Sequence, residues 1–395
     1  MRPANRTFSA LGTSVFETMS RLARQHEAIN LGQGFPDDRG APDVLAKAAE
    51  ALLTGWNQYP PMLGLPELRQ AVARHEQRFY GLAVDWEREV MVTSGATEAL
   101  TAALLGLIEP GDEVVLFAPA YDAYAPMVRR AGGTPRWVNL YPPDWSLDRR
   151  ALEAAFSPRT KAVLLNNPLN PAAKVFTAEE LALIAELVDG ADAYAICDEV
   201  YEHLVFDGRR HVPLITLPGM RERCLKIGSA GKTFSLTGWK VGYVTAAPPL
   251  LAAVAKAHQF IVFTTPPNLQ AAVAYGLGQP DAYFSGLAAE MERRRGKLAE
   301  GLADLGIPSL PCQGTYFLNV DRRTMGLGWN DAADDVAFAM RLTAEAGVAA
   351  IPLSAFYEEA PDTDHIRFCF AKQDTVLAAA VDRLGRAVRG AAAAG

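Results

Sequence analysis

Lys232 is the residue in this sequence best suited to carbonyl chemistry. It lies in Ser229-Ala230-Gly231-Lys232-Thr233, after an apolar run that predicts a strand, Cys224–Gly228. A lysine among small and aromatic residues at a strand exit is desolvated, which lowers the pKa of its amine and makes it usable as a nucleophile and base. Schiff-base chemistry on a carbonyl requires such a lysine. For any single lysine, an exposed turn is the commoner explanation, so the rest of the chain must decide.

Two further segments could supply a phosphate site and a buried carboxylate. Ser94-Gly95-Ala96-Thr97 joins a predicted strand to a helix, and the free N–H groups of a helix start suit a phosphate, although an ordinary N-cap explains them too. Lys240 adds a second cation after Lys232. Asp198 ends an apolar strand and should be at least partly buried. Its partner is then either a protonated ring nitrogen or the cation of a structural ion pair.

An amide-rich turn and one arginine complete the candidate groups. The run Asn166-Asn167-Pro168-Leu169-Asn170-Pro171 places amide side chains around restricted X-Pro bonds, or forms only a rigid turn. Arg367 lies in the alternating pattern His365–Phe370, on a face that carries no carboxylate. It is therefore either partly sheltered and free to bind a ligand carboxylate, or a surface arginine on an edge strand.

Sequence motifs of other kinds of site are incomplete in this chain. Gly231-Lys232-Thr233 matches the end of a P-loop, but Lys226 stands where that motif needs its first glycine. The segment Gly32–Asp37 lacks the third glycine of a dinucleotide fingerprint, and His75-Glu76 lacks the second histidine of HExxH. We expect the six histidines not to cluster, and the four cysteines show no CxxC spacing, so we expect no metal.

Composition predicts a soluble cytoplasmic enzyme. The net charge is −7, which argues against a nucleic-acid partner, because binding nucleic acid requires a concentrated basic surface. No apolar run approaches the ~20 residues of a membrane span, and the segment 1–22 lacks the apolar core of a secretory signal. Unpaired cysteines indicate a reducing compartment.

The order of predicted elements indicates a mostly parallel, seven-stranded sheet sandwiched by helices, an α/β fold with a smaller α+β domain. We expect an N-terminal arm over 1–45 that belongs to the small domain, a large domain over 46–290 and a small C-terminal domain over 291–395. Ligands of such sheets bind beyond the C-terminal strand ends, so the polar residues there should converge. The predicted sheet strands are Val90–Ser94, Glu113–Phe117, Pro135–Asn139, Ala162–Asn166, Tyr194–Asp198, Leu225–Gly228 and Val241–Ala246. In the smaller domain we expect short strands over Thr315–Val320, Val348–Ile351 and Ile366–Phe370.

Taken together, these residues resemble the class I/II aminotransferases, which are fold-type-I pyridoxal-phosphate enzymes. The similarity covers nearly the whole chain. Three segments are similar to the kynurenine, glutamine and methionine aminotransferase subgroup: Asn30-Leu31-Gly32-Gln33-Gly34-Phe35-Pro36, Asn57-Gln58-Tyr59 and Ser229-Ala230-Gly231-Lys232-Thr233-Phe234-Ser235.

The resemblance implies a catalytic role for three residues, Lys232, Asp198 and Tyr201. Lys232 would form the Schiff base with pyridoxal 5′-phosphate and carry a proton between substrate Cα and cofactor C4′. Asp198 would pair with the pyridinium nitrogen. Tyr201 and Asn170 would hydrogen-bond the phenolic oxygen, and Tyr121 would stack on the ring.

The other contacts implied by the resemblance concern the phosphate and the substrate. Lys240 stands where many relatives have arginine, which keeps the charge but loses the two-pronged fork. Ala172-Ala173 replaces the Thr-Gly common after Asn-Pro, so that turn is expected to differ in shape. The expected phosphate contacts are Gly95, Ala96, Thr97, Ser229 and Lys240. The expected substrate contacts are Gly34, Asn170, Arg367, Phe16 and Phe263.

The resemblance also implies a homodimer with shared sites, in which Tyr59 contacts the cofactor, and Phe263 and Thr264 the substrate, from the other subunit. Phe16 and Tyr121 favour methionine, glutamine, phenylalanine or kynurenine, exchanged with a 2-oxo acid by a ping-pong mechanism. Two enzyme alternatives are a cysteine-S-conjugate β-lyase and an aspartate-type aminotransferase. A non-catalytic ligand-sensing domain is remote, because it would need an attached DNA-binding module.

Overall fold

A computed structural model describes residue 2 and residues 4–329, 331–358 and 363–394 of the chain. In chain order, its strands are β1 (Ile29–Asn30), β2 (Val90–Thr93), β3 (Glu113–Ala118), β4 (Thr134–Asn139), β5 (Thr160–Asn166), β6 (Tyr194–Asp198), β7 (Cys224–Ser229), β8 (Gly242–Ala246), β9 (Phe317–Asp321), β10 (Val348–Ala349), β11 (Ile351–Pro352) and β12 (His365–Cys369).

Its α-helices, in the same order, are α1 (Arg6–Ser9), α2 (Val15–Gln25), α3 (Pro42–Thr54), α4 (Pro66–Tyr80), α5 (Trp86–Glu89), α6 (Gly95–Leu107), α7 (Tyr124–Ala131), α8 (Arg149–Ala155), α9 (Ala178–Gly190), α10 (Ala230–Thr233), α11 (Pro248–Ile261), α12 (Pro267–Leu277), α13 (Asp281–Ala303), α14 (Asp335–Arg341) and α15 (Asp374–Ala394). None of the helices in the described ranges is both long and apolar enough to cross a membrane.

Local sequence signals account for many helix boundaries. Helix α4 begins with Pro66, whose fixed φ suits a first helical position, and ends at Gly81, whose φ of 66° is left-handed. Helix α9 has a full capping box, in which Thr177 and Glu180 satisfy each other's backbone N–H groups.

The central sheet has the strand order β2-β8-β7-β6-β5-β3-β4. Strands β7, β6, β5, β3 and β4 pair in parallel, and β8 runs antiparallel to both of its neighbours. The mostly parallel seven-stranded sheet is therefore confirmed. In the register, Asn166 lies opposite Asp198, and Asp198 lies opposite Ile227, so the ends of three strands meet at one edge.

Both faces of this sheet are covered by helices. On one face, α6, α7 and α11 pack on alternate residues of the strands. On the other, α8 and α9 bury the intervening residues in a core that continues to β9 and β12. A third cluster joins α3, α4 and α12 to β2 and β8. The edge at which the strands end lies between these layers.

The C-terminal third differs from the sequence prediction in one respect. The segment Val348–Ile351, predicted as one strand, forms the separate strands β10 and β11. Strand β10 pairs in parallel with β1, which was not predicted, whereas β11 joins the antiparallel sheet β11-β12-β9. One apolar run therefore serves two sheets, which periodicity along a single chain segment cannot indicate. Helix α13 runs across residue 290, and the domain division stays a prediction.

Candidate active site

A cavity of about 470 Å³ opens where the parallel strands end. Residues at the ends of β5, β6 and β7 line it, so the expected convergence of polar groups is present. The predicted site residues that line it are Phe16, Gly34, Gly95, Ala96, Thr97, Tyr121, Asn170, Asp198, Tyr201, Ser229, Lys232, Lys240 and Arg367.

Lys232 projects into this cavity from the short helix α10, directly after β7. Its Nζ donates a hydrogen bond to the Tyr316 hydroxyl at 2.8 Å. Burial lowers the pKa of Lys232 to about 8, against the opposing charge of Asp198, and Lys240 and Arg367 lower the pKa further. The amine is therefore partly neutral near pH 8, as a nucleophile or base requires.

Asp198 ends β6 and is 5% exposed. The Tyr124 hydroxyl donates a hydrogen bond to its Oδ2 at 2.6 Å. Burial raises the pKa of Asp198, and the hydrogen bond from Tyr124 lowers it. The Val200 N–H donates to Oδ1 at a longer 3.4 Å. The carboxylate thus faces the cavity held at both oxygens, as expected of a group that is fixed to pair with a bound cationic nitrogen.

The start of helix α6 has two features that suit an anion. The Ser94 side chain makes no capping hydrogen bond, so the first-turn N–H groups have no side-chain acceptor from it. Gly95 has a left-handed φ of 76°, and a Cβ there would lie 3.2 Å from Lys240 Cε and 3.3 Å from its Nζ. The absence of a side chain at Gly95 therefore leaves room for Lys240 beside the helix N-terminus. Both features favour a phosphate-sized anion.

Arg367 occupies the centre of the small antiparallel sheet and is 1% exposed. The edge-strand alternative is therefore wrong. Its Nη1 donates to Asn170 Oδ1 and its Nη2 to the Gly32 carbonyl, both at 2.9 Å, while its buried Nε has no hydrogen-bond partner among the residues that the structure describes. The guanidinium carbon lies 3.9 Å from the Phe317 ring centroid. A fixed, desolvated guanidinium facing the cavity is suited to a carboxylate.

Sequence reasoning missed Tyr124, Tyr316 and Asp122. Tyr124 and Tyr316 contact the two central charged groups, and Asp122 lines the cavity. The only local signal was the position of Tyr316 within Gly314-Thr315-Tyr316-Phe317, just before β9.

Three predicted residues, Tyr59, Phe263 and Thr264, do not line the cavity within the described chain. The rings of Tyr59 and Phe263 lie edge to face at the surface, with centroids 5.7 Å apart. Tyr59 is 84% exposed. Their expected contribution to a neighbouring subunit's site stays a prediction.

Comparison with known proteins agrees with this architecture. The sequence profile of "Aminotransferase class I and II" matches residues 26–384. A probable N-succinyldiaminopimelate aminotransferase DapC of Mycobacterium tuberculosis is 44% identical, over 94% of this chain and 95% of the relative. Methionine aminotransferase of Escherichia coli is 41% identical, over 95% and 96%. Kynurenine–oxoglutarate transaminase 1 of Homo sapiens is 39% identical, over 92% and 93%.

The solved structures of the first two enzymes superpose on nearly the whole chain. The Escherichia coli methionine aminotransferase gives a TM-score of 0.93 at 40% identity, over 98% of this chain and all of that one. The Mycobacterium tuberculosis N-succinyldiaminopimelate aminotransferase gives 0.93 at 44% identity, with the same coverage.

Proposed function

The chain belongs to the class I and II aminotransferases, and we propose that it uses pyridoxal 5′-phosphate to exchange amino groups by ping-pong kinetics. It is a transferase that moves the amino group of an amino acid to a 2-oxo acid. The family depends on this cofactor. When bound, pyridoxal phosphate supplies an electron-accepting ring and carries the amino group between the two half-reactions.

The presence of both Lys232 and Asp198 in one cavity is the observation that carries this proposal. An amine with a pKa of about 8 and a buried carboxylate are the two groups that a pyridinium aldehyde needs. The start of α6 with Lys240 fits the phosphate. The aldehyde, the ring nitrogen and the phosphate of one cofactor would thus each meet a suitable group in the same cavity.

Each remaining residue then has a defined task. Lys232 Nζ would take the proton from substrate Cα and return it to the other reacting carbon. Arg367 would hold the substrate α-carboxylate, with Asn170 and the Gly34 backbone beside it. Tyr201, whose pKa burial raises, would stay protonated and donate to the ring oxygen together with Asn170. Tyr121, Ala96, Thr97 and Ser229 would enclose the ring and phosphate.

A neutral, apolar, sulfur-containing or aromatic amino acid is the proposed donor. The Phe16 ring lies 5.5 Å from the Arg367 guanidinium carbon and lines the cavity with Tyr121, so the substrate side chain would meet aromatic surface. Relatives named for methionine and kynurenine support this class. Pocket shape discriminates such side chains weakly, so a cysteine-S-conjugate β-lyase and an aspartate-type enzyme are the alternatives.

A homodimer with shared sites is part of the proposal. Several large apolar side chains are exposed, an arrangement that favours burial against a second copy. We assign Tyr59 and Phe263, with Thr264, to the partner's site. The exposed side chains include Leu53, Trp56, Tyr59 and Phe260, which are 84–86% exposed. Sedimentation of the holoenzyme at twice the monomer mass is the expected result, and a monomer would contradict it.

We further propose that the enzyme is cytoplasmic and that its arm, large and small domains follow the division at residues 45 and 290. Four buried, unpaired cysteines support a reducing compartment.

The function is tested by single half-reactions on protein reconstituted with pyridoxal phosphate. L-methionine, L-glutamine, L-phenylalanine, L-kynurenine and L-aspartate are each mixed with the holoenzyme, without a 2-oxo acid, and the cofactor absorbance is followed. We expect a rapid change with the first four and a slow one with aspartate. Release of pyruvate and ammonia from a cysteine S-conjugate would favour the β-lyase. No change with any amino acid would contradict the proposal.

A further inference from the structure

Tyr316 joins the proposed catalytic lysine to the backbone of the proposed substrate site. Lys232 Nζ donates to the Tyr316 oxygen at 2.8 Å, and the Tyr316 hydroxyl donates to the Gly34 carbonyl at 2.7 Å. Tyr316 is 1% exposed, and its ring lies edge to face with Tyr201 at 5.2 Å. The two hydrogen bonds and the contact with the Tyr201 ring therefore fix the position of the Tyr316 side chain.

The direction of these hydrogen bonds is determined by chemistry. A carbonyl oxygen can only accept, so the single proton of the Tyr316 hydroxyl is committed to Gly34. Toward Lys232 the same hydroxyl can act only as an acceptor. It therefore binds one N–H of the amine and cannot donate a proton to the nitrogen lone pair.

This arrangement matters for a base. A neutral amine has one lone pair, and a neighbouring hydroxyl that was free to donate would occupy it. With the hydroxyl held by Gly34, the lone pair of Lys232 stays available on the side away from Tyr316. The Tyr201 and Tyr316 ring centroids each lie 5.4 Å from Nζ, which limits the other directions in which the side chain can turn.

The anchor of Tyr316 is itself well defined. A Cβ at Gly34 would lie 2.8 Å from Phe317 Cζ, so the Gly34 backbone packs directly on the residue after Tyr316. Phe317 in turn stacks under the Arg367 guanidinium. Tyr316 thus contacts the proposed base, Phe317 contacts the proposed carboxylate-binding arginine, and both residues also contact Gly34.

We infer that Tyr316 is a positioning residue that aims the Lys232 lone pair at substrate Cα by accepting one N–H while Gly34 holds its own proton. This inference rests on the proposed function and adds a residue to it. The bond that breaks is Cα–H, its electrons stay with the substrate carbon and cofactor, and its proton goes to Lys232 Nζ. Tyr316 neither gains nor loses a proton in this step.

The test uses Tyr316→Phe, which removes one oxygen and keeps the ring. Methionine half-reactions are measured on the holoenzyme with protium or deuterium at Cα. We expect the rate of the half-reaction to fall at least about tenfold and the Cα deuterium isotope effect to rise, because proton transfer from Cα to a misaligned Lys232 lone pair becomes more rate-limiting. The matched control is Tyr283→Phe, whose hydroxyl donates to the Thr233 carbonyl at 3.1 Å outside the cavity, and whose isotope effect should match the wild type.

A second readout needs no cofactor. In the apoenzyme, acylation of Lys232 by an amine-reactive reagent is followed by peptide mass spectrometry across pH. Loss of the acceptor destabilises the ammonium form, so the labelling midpoint should fall by about one pH unit. The other groups that face this amine are the same in the wild type and in Tyr316→Phe. They are Asp198, Tyr201, Lys240, Arg367 and Cys369.

The outcomes separate the two claims. An unchanged rate and isotope effect in Tyr316→Phe, or an unchanged labelling midpoint, overturns the positioning role even if the wild type transaminates. A lower rate with an unchanged isotope effect indicates only a structural role and also overturns it. If Tyr316→Phe does not fold, 3-fluorotyrosine at position 316 is used instead, because it keeps the shape of the side chain and weakens its oxygen as an acceptor. The half-reaction rate, the isotope effect and the labelling midpoint should then change in the same directions by smaller amounts. A wild type without any half-reaction contradicts the proposed function instead.

Discussion

The Tyr124 hydroxyl lies 2.6 Å from Asp198 Oδ2, in a contact buried from solvent on both sides. It joins a helix on one face of the central sheet to the carboxylate at the end of β6. The hydrogen bond lowers the pKa of Asp198, whereas burial raises it. Tyr124 therefore helps to keep the proposed partner of the cofactor nitrogen ionised.

Replacing Tyr124 with phenylalanine should weaken cofactor binding. A hydrogen bond to a charged group contributes about 1.5–3 kcal/mol, so we expect the dissociation constant of pyridoxal phosphate to rise roughly tenfold or more. The pKa of Asp198 should rise, so the loss should be larger at pH 6 than at pH 8. Fluorescence titration of the apoenzyme measures it. Tyr357→Phe is the control, since its buried hydroxyl bonds the Leu140 carbonyl away from the cavity. Equal affinities for the variant and the wild type would contradict this role.

Arg367→Lys should specifically impair substrates that carry a carboxylate. Burial lowers the pKa of Arg367 to about 10, which still leaves it charged at neutral pH. A lysine keeps the charge but loses the planar fork, so kcat/KM for L-methionine should fall about 10- to 100-fold, the equivalent of one or two charged hydrogen bonds.

The slow reaction of an amine without the carboxylate, 3-(methylthio)propylamine, should change little in the same variant. Arg293→Lys, at the surface beside Glu290, serves as the control for the substitution itself. An equal loss of kcat/KM for L-methionine and for 3-(methylthio)propylamine would show that Arg367 does not bind the carboxylate.

The rate at which apoenzyme takes up pyridoxal phosphate should depend on pH through Lys232. Below its pKa of about 8 the amine is mainly protonated and cannot attack an aldehyde, so the rate should rise about tenfold per unit up to that pH and then level off. Stopped-flow absorbance measures it. Uptake of 4′-deoxypyridoxine 5′-phosphate, which lacks the aldehyde, should show no such rise. A flat profile for pyridoxal phosphate between pH 6 and 9 would exclude the proposed pKa.

A second buried network is expected to serve stability. Lys226 Nζ donates to Glu76 Oε1 at 2.8 Å and to Glu202 Oε2 at 2.7 Å, with all three side chains at most 1% exposed. Lys226→Met would leave two buried carboxylates without their cation, and the free energy of unfolding should fall by about 3–5 kcal/mol. Urea unfolding at fixed protein concentration measures it. Lys47→Met, which breaks an exposed pair with Glu50, should cost less than about 1 kcal/mol. A loss for Lys226→Met no larger than this control would refute the structural role.

The same network corrects the expectation that the histidines do not cluster. His75 Nε2 lies 3.2 Å from His203 Nε2 and 3.7 Å from Glu202 Oε1, although 128 positions separate the two histidines. Burial lowers the pKa of His75 to about 3, so it is neutral. The oxygens of Glu202 already accept hydrogen bonds from Lys226, Tyr80 and Tyr243. We therefore interpret the group as a structural ion-pair network in which Lys226 supplies the positive charge.

Much of the site was predictable because parallel strands end at a common edge. The strand patterns located the ends of β5, β6 and β7, and the order of the sheet then brought Asn166, Asp198 and Ser229 together. Lys232 follows β7 directly, so its position required only the correct strand.

The contacts that orient these residues were not predictable in the same way. Tyr316 is 84 positions from Lys232, and Tyr124 is 74 positions from Asp198. Each contact depends on how a helix or a second sheet packs against the strand ends, which periodicity does not specify. The burial of Arg367 likewise depends on β11 and β9 flanking β12.

The central claim is that Lys232 carries the transamination chemistry, and Lys232→Ala tests it most directly. Protein saturated with pyridoxal phosphate is mixed with L-methionine, and the half-reaction is followed beside Lys256→Ala, which removes an exposed lysine. We expect a loss of at least about a thousandfold for Lys232→Ala, because nucleophile and base are removed together, and wild-type behaviour for the control. Methionine half-reactions in Lys232→Ala at a rate within tenfold of the wild type would contradict the account.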